Sequence, residues 1–160
     1  MVYYFSMLIK RIYDNLNLIA GKVLVIYGPR RVGKTTLLNT YLKSSKLKYS
    51  LVSGDDIFIQ QALSSQSIKT ISELVQGLDL FVIDEAQRVT SIGLGLKIMV
   101  DHNPNLKVIA TGSASFDLQN KIGEPLVGRK HTLCLYPISQ LELMYHSTQF
   151  ELKRQLEDRL

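Results

Sequence analysis

Cysteine is nearly absent: Cys134 is the only one in 160 residues. A lone thiol excludes an internal disulfide and fits a reducing compartment. It lies within an apolar run, which predicts a core side chain rather than a nucleophile. Long hydrophobic runs are missing too, and nothing approaches the ~20 apolar residues that span a bilayer. The opening MVYYFSMLIKRIYDNLNLIAGK has neither a long apolar centre nor a small-residue cleavage site, so it predicts an amphipathic helix and no signal peptide. These absences predict a cytoplasmic protein without a membrane partner. The three histidines, His102, His131 and His146, are scattered with no second ligand at metal spacing, and no transition-metal site is expected. Internal repeats and low-complexity tracts are lacking as well.

What is present is a globular composition. Hydrophobic residues make up 46% of the chain, enough for a real core. The 19 Lys and Arg against 14 Asp and Glu give a formal charge of +5. Such a surplus suits a polyanionic partner such as a nucleotide or nucleic acid, and equally an ordinary basic domain.

Short apolar runs alternate with helical patterns. VLVIY (23–27), YSLVSG (49–54), LDLFVID (78–84), LKVIAT (106–111) and HTLCLY (131–136) predict five strands, several of them apolar throughout, as strands buried on both faces are. KTTLLNTYLKSS predicts a helix after the first strand. Residues 55–76 predict weaker helix interrupted by SSQS (64–67). TSIGLGLKIMVDH predicts a helix capped by Thr90 or Ser91 and stopped before NPN (103–105), and Ser139 caps another through about His146. Strands alternating with helices predict a three-layer αβα sandwich with a mainly parallel five-stranded sheet, and the length predicts one domain over residues 1–160. The final FELKRQLEDRL sets Leu152, Leu156 and Leu160 on one face without a cap or glycine stop. It is expected either to continue into a longer protein or to meet a partner.

Between the first strand and its helix stands GPRRVGKT, which fits G-x-x-x-x-G-K-[ST] through Gly28, Gly33, Lys34 and Thr35. Glycines let backbone N–H groups approach phosphate oxygens closely. The helix start adds partial positive charge at the same place. Lys34 reaches β- and γ-phosphates, the Thr35 hydroxyl is a ligand for Mg²⁺, and Thr36 adds a phosphate contact. Arg30 and Arg31 have two readings: contact with phosphate or a neighbouring subunit, or solvated side chains at a loop tip.

LFVIDEAQ (80–87) supplies the acidic pair that a Mg²⁺–triphosphate site still needs. Asp84 ends an apolar strand at the carboxyl edge, where ligands bind in open α/β sheets, and suits Mg²⁺ held through water. Glu85 follows at a different angle, as a carboxylate that polarises an attacking water would. KVIATGSAS (107–115) ends a further strand at the same edge. Thr111 or Ser113 there can bond the γ-phosphate or the water, cap the next helix, or do both. In LVGRK (126–130), spacing alone makes Arg129 a surface arginine.

The set GPRRVGKTT, LFVIDEAQ, ATGSAS and LVGR followed by LYPISQLEL resembles the AAA-type (AAA+) P-loop ATPase domain of a large group of predicted prokaryotic ATPases. The likeness runs from about Ile9 to Leu143. It implies that Gly28, Pro29, Arg30, Arg31, Val32, Gly33, Lys34, Thr35 and Thr36 bind ATP, and that Asp84 and Glu85 form the Walker B pair with Mg²⁺. It also implies that Thr111 or Ser113 acts as sensor 1, and that Arg129 serves as an arginine finger in a neighbour's site within a homo-oligomer. Those relatives usually carry an additional C-terminal domain. This chain stops before that domain and before a helical lid, so a fragment with low turnover is expected.

Other classes fit less well. A GTPase would need N-K-x-D, and the nearest match, Asn120-Lys121-Ile122-Gly123, lacks the aspartate. A helicase motor needs two lobes. A small-molecule kinase would share the phosphate loop but not a glutamate set against water; phosphate release without an acceptor separates it. The remaining alternative is a nucleotide-switched nucleic-acid-binding or scaffold module with little hydrolysis of its own, which salt-dependent DNA binding would support. The lysines between Tyr41 and Tyr49 make either a phosphate-contacting stripe or a solvated helix end.

Overall fold

The computed structural model describes residues 16–113 and 124–157, together with the single positions 9, 11, 13 and 122; of residues 149–157 it describes the backbone alone. The expected amphipathic helix at the start, the N-K-x-D near-match and the side chains of the last leucines therefore lie largely outside the described residues.

Five strands follow in chain order: β1 (Val23–Gly28), β2 (Tyr49–Ser53), β3 (Leu80–Asp84), β4 (Lys107–Ser113) and β5 (Lys130–Cys134). Their spatial order is β2-β3-β4-β1-β5. Every pairing is parallel, so the sheet expected to be mainly parallel is parallel throughout. The helices are α1 (Lys34–Ser44), α2 (Ile57–Ser64), α3 (Ile68–Leu74), α4 (Ile92–His102) and α5 (Gln140–Glu157), with a 3₁₀ turn over Ala86–Arg88. SSQS does interrupt the helix over 55–76, because Ser67 restarts it by accepting the amide of Thr70 at 3.3 Å. The two helical stretches expected after Pro137 are one continuous helix.

Period-two geometry divides the apolar strand residues between two layers. Val23, Val25, Phe81, Ile83, Val108 and Ala110 pack with residues of α2, α3 and α4 such as Leu63, Ile71, Leu96 and Met99. Leu24, Ile26, Leu80, Val82 and Ile109 pack instead with Leu37, Leu38 and Leu42 of α1. This is the three-layer arrangement. The central strands β1, β3 and β4 are covered on both faces, which is why they read as unbroken apolar runs. The edge strand β2 alternates between exposed and half-buried residues. On the opposite edge, β5 ends at Cys134, two residues before the expected limit, and Cys134 is half-buried there rather than core. Leu135 still extends the edge by donating its amide to Tyr27 O at 2.7 Å.

The topology makes the crevice. From β1 the chain crosses with α1 on one face to β2 at the far edge, then returns strand by strand through β3 and β4 with helices on the other face. Reversal of direction puts the covering helices on opposite faces, because parallel crossovers keep one hand. The carboxyl ends of β1, β3 and β4 therefore meet where the order reverses, the place for a ligand in such sheets. No helix among the described residues is long and apolar enough to cross a membrane.

Candidate functional site

The loop after β1 runs directly into α1. Gly33 stands before the helix at φ 93, with no side-chain cap and no acidic residue in the first turn. The first-turn amides have no helical acceptors by construction, so the positive end of α1 is uncompensated by its own sequence. The Lys34 ammonium folds back over the loop and donates to Gly28 O and Pro29 O, each at 2.9 Å, with only 6% of the residue exposed. Gly28 is required sterically. A Cβ there would overlap the carbonyl oxygen of Leu135, where the exit of β5 passes behind the loop.

The ends of β3 and β4 close on this loop. Thr35 Oγ1 donates to Asp84 Oδ2 at 2.8 Å, bridging segments 49 residues apart. The other oxygen, Asp84 Oδ1, accepts from the wholly buried Thr111 hydroxyl and from the Glu85 amide at 3.0 Å. Asp84 is thereby fixed between two threonines and its own backbone. Glu85 turns away in the left-handed region, φ 54 and ψ 40, a conformation that costs about 1–3 kcal/mol for a residue other than glycine. The Gln87 amide donates to the Glu85 carboxylate and approaches Ser113 Oγ at 3.4 Å. Ser113 lies level with Gly28 across the β1–β4 pairing.

Arg30, Arg31, Gly33, Lys34, Thr35, Thr36, Asp55, Glu85 and Arg88 line a cavity of about 530 Å³ over the α1 start. Four cationic side chains against two carboxylates leave it net positive. Arg30 and Arg31 are exposed at its rim. Val32 is buried and packs with Leu37 and Leu135. Arg88 pairs with Asp55 at 3.3 Å across the rim, both side chains largely exposed, so the pair adds little stability.

One residue is set apart from this cluster. Arg129 pairs with Asp101 of α4, and its carbonyl accepts from Val23 N at 2.9 Å. That level is the amino end of β1, about 16 Å along the strand from Gly28. The chain's own fold does not bring Arg129 to the cavity.

Sequence reasoning missed several members of the site. Gln87 stood inside the quoted LFVIDEAQ, but nothing in its spacing tied it to Glu85. Gly54 ended a predicted strand without apparent purpose. Its amide donates to Asp84 O at 2.7 Å, and a Cβ on it would overlap the carbonyl oxygen of Glu85. Gly54→Ala should therefore push the Asp84–Glu85 turn out of place. The expected cost is about 1–3 kcal/mol, read as a lowered midpoint in denaturant; an unchanged midpoint would show that the turn yields freely. Arg11 was also missed, and Glu142, although it stands in LYPISQLEL three residues after Ser139, was given no role of its own.

A strand, a glycine loop and a helix at the switch point of a five-stranded parallel sheet define the P-loop nucleoside-triphosphatase fold. A family model described as an AAA domain matches residues 20–144, and the chain belongs to that family. It is a nucleotide-binding AAA-type module. No curated protein matches the chain.

Proposed function

We propose that the domain binds Mg²⁺–ATP and hydrolyses it to ADP and phosphate, driving a conformational change. The observation that carries this reading is the Thr35–Asp84–Thr111 hydrogen-bonded chain, which joins the phosphate loop to the ends of two further strands. A hydroxyl and a carboxylate 2.8 Å apart are hard oxygen donors suited to Mg²⁺. Mg²⁺ keeps several waters and takes further oxygens from phosphate, so two protein donors suffice. Thr35 and Asp84 would hold the metal, which when bound neutralises charge on the β- and γ-phosphate oxygens.

The protein's own part is positioning and proton handling. Loop amides and Lys34 hold the triphosphate in line. Glu85 accepts a proton from water as the water oxygen bonds to the γ-phosphorus and the bond to the β–γ bridging oxygen breaks, releasing ADP. Ser113 suits the role of a γ-phosphate contact better than Thr111, whose hydroxyl is buried and spent on Asp84. Arg129, remote from its own cavity, is assigned to a neighbour's site in a homo-oligomer, where such an arginine raises rates by ~10³–10⁵.

Titration calorimetry of the chain with ATP, with and without Mg²⁺, tests the binding, and phosphate release without an added acceptor tests the chemistry. Saturable heat that strengthens with the metal is expected. Flat heats in both titrations would overturn the reading.

A further inference from the structure

Outside the nucleotide cluster, the most completely built polar arrangement among the described residues joins Arg11 to the back of the phosphate loop. Its guanidinium makes three hydrogen bonds in three directions: Nε to Glu142 Oε1 at 2.9 Å, Nη1 to Val32 O at 2.8 Å and Nη2 to Tyr136 O at 2.6 Å. The Arg11 side chain is 9% exposed and that of Glu142 is 2% exposed. Glu142 is itself fixed. Its other oxygen accepts from Ser139 N at 2.8 Å and Ser139 Oγ at 3.0 Å, while Ser139 Oγ accepts from Glu142 N at 3.2 Å. This is a reciprocal capping box at the start of α5.

The contact on Val32 O has a consequence at the cavity. Val32 C=O and Gly33 N–H belong to one planar trans peptide unit, in which the carbonyl and the amide point in opposite directions. Arg11 holds the carbonyl on the side of Glu142 and Tyr136. The Gly33 N–H must then point the other way, and Gly33 lines the cavity beside Lys34. Gly33, free of a Cβ, permits many backbone conformations, so the clamp adds to the packing of Val32 and to the bond from Leu37 N to Gly33 O in fixing that peptide. The Glu142 carboxylate balances the Arg11 charge, so the pair acts on orientation more than on the field in the cavity.

We infer that Arg11 and Glu142 are positioning residues for polyphosphate binding: their buried ion pair locks the Val32–Gly33 peptide with its N–H facing the ligand. The inference rests on the nucleotide-binding reading above; it adds Arg11, and it gives a role to Glu142 of the LYPISQLEL stretch, 131 residues away. It also ties the loop to the first turn of α5, since Glu142 serves both.

The test uses Arg11→Met, Arg11→Lys and Glu142→Gln in the full chain. Lysine keeps the charge but lacks the planar fork that reaches three acceptors, and glutamine keeps a cap acceptor but not the charge. Each variant should bind Mg²⁺–ATP, and tripolyphosphate used as a probe, about ten- to a hundredfold more weakly, the loss typical of hydrogen bonds involving a charged group. In hydrolysis the effect should appear in KM more than in kcat. The Gly33 amide resonance, read by NMR without ligand, should move in all three, which a merely stabilising role elsewhere would not produce. If Arg11→Met fails to fold, the two milder variants carry the test. Parental affinity with an unmoved Gly33 resonance in a wild type that binds ATP overturns this inference and leaves the proposed function standing. Absent binding in the wild type overturns both.

Discussion

Lys34→Ala should lower the affinity for Mg²⁺–ATP by about a hundredfold or more while the domain remains folded. The ammonium has three N–H donors. Two are spent on Gly28 O and Pro29 O, which aims the group across the loop and leaves the third for a ligand oxygen. Because Lys34 is almost wholly buried, its attraction to a polyphosphate is screened far less than that of the rim arginines Arg30 and Arg31. Truncating one member of a buried, hydrogen-bonded charge pair typically costs 2–5 kcal/mol, about 30- to several-thousandfold in affinity. The apo protein should lose less, since Pro29 is exposed and water can take the lysine's place at its carbonyl. Calorimetry gives the affinity and thermal unfolding the stability. Binding within threefold of the parent, in a folded variant, would mean that polyphosphate is held elsewhere.

The same lysine illustrates what the sequence made legible. Its role depends on contiguous chain: a strand ends, a loop turns and a helix begins, all within the pattern that names it. Asp84 was equally readable, because four apolar residues before it fix the strand and therefore the edge. The contacts that assemble the site were not readable. Thr35 meets Asp84 only because β3 and β4 are inserted on the return path, and periodicity within one strand says nothing about strand order. Gly54 looks like any strand-ending glycine until Glu85 O is found against its missing Cβ. Ser139 was expected as a cap, yet its partner Glu142 also serves an arginine 131 positions earlier, a pairing that neither segment encodes alone. Arg129 is the converse case. Its place in a motif-like stretch was legible, whereas its distance from its own cavity emerged only from the register of β1 with β5.

Glu85→Gln should leave Mg²⁺–ATP binding within about threefold and cut hydrolysis by about 10²–10⁴-fold, the range for losing a positioned general base. The substitution is nearly isosteric, and the new carbonyl oxygen can still accept from the Gln87 amide that now holds the carboxylate. The left-handed turn at residue 85 is held by backbone contacts, Gly54 N to Asp84 O and Arg88 N to Glu85 O at 3.0 Å, so it should persist. What disappears is a carboxylate able to take a proton from water, while Asp84 and Thr35 stay as they are. Glu85→Ala makes the useful comparison: it removes the base and also releases Gln87 toward Ser113, so it should alter binding where glutamine does not. Phosphate formed in quenched single-turnover samples measures the chemical step apart from product release. A parental rate in Glu85→Gln would take the base away from Glu85. Asp55, the other carboxylate lining the cavity, would then have to carry it, and breaking its pairing with Arg88 would become the decisive experiment.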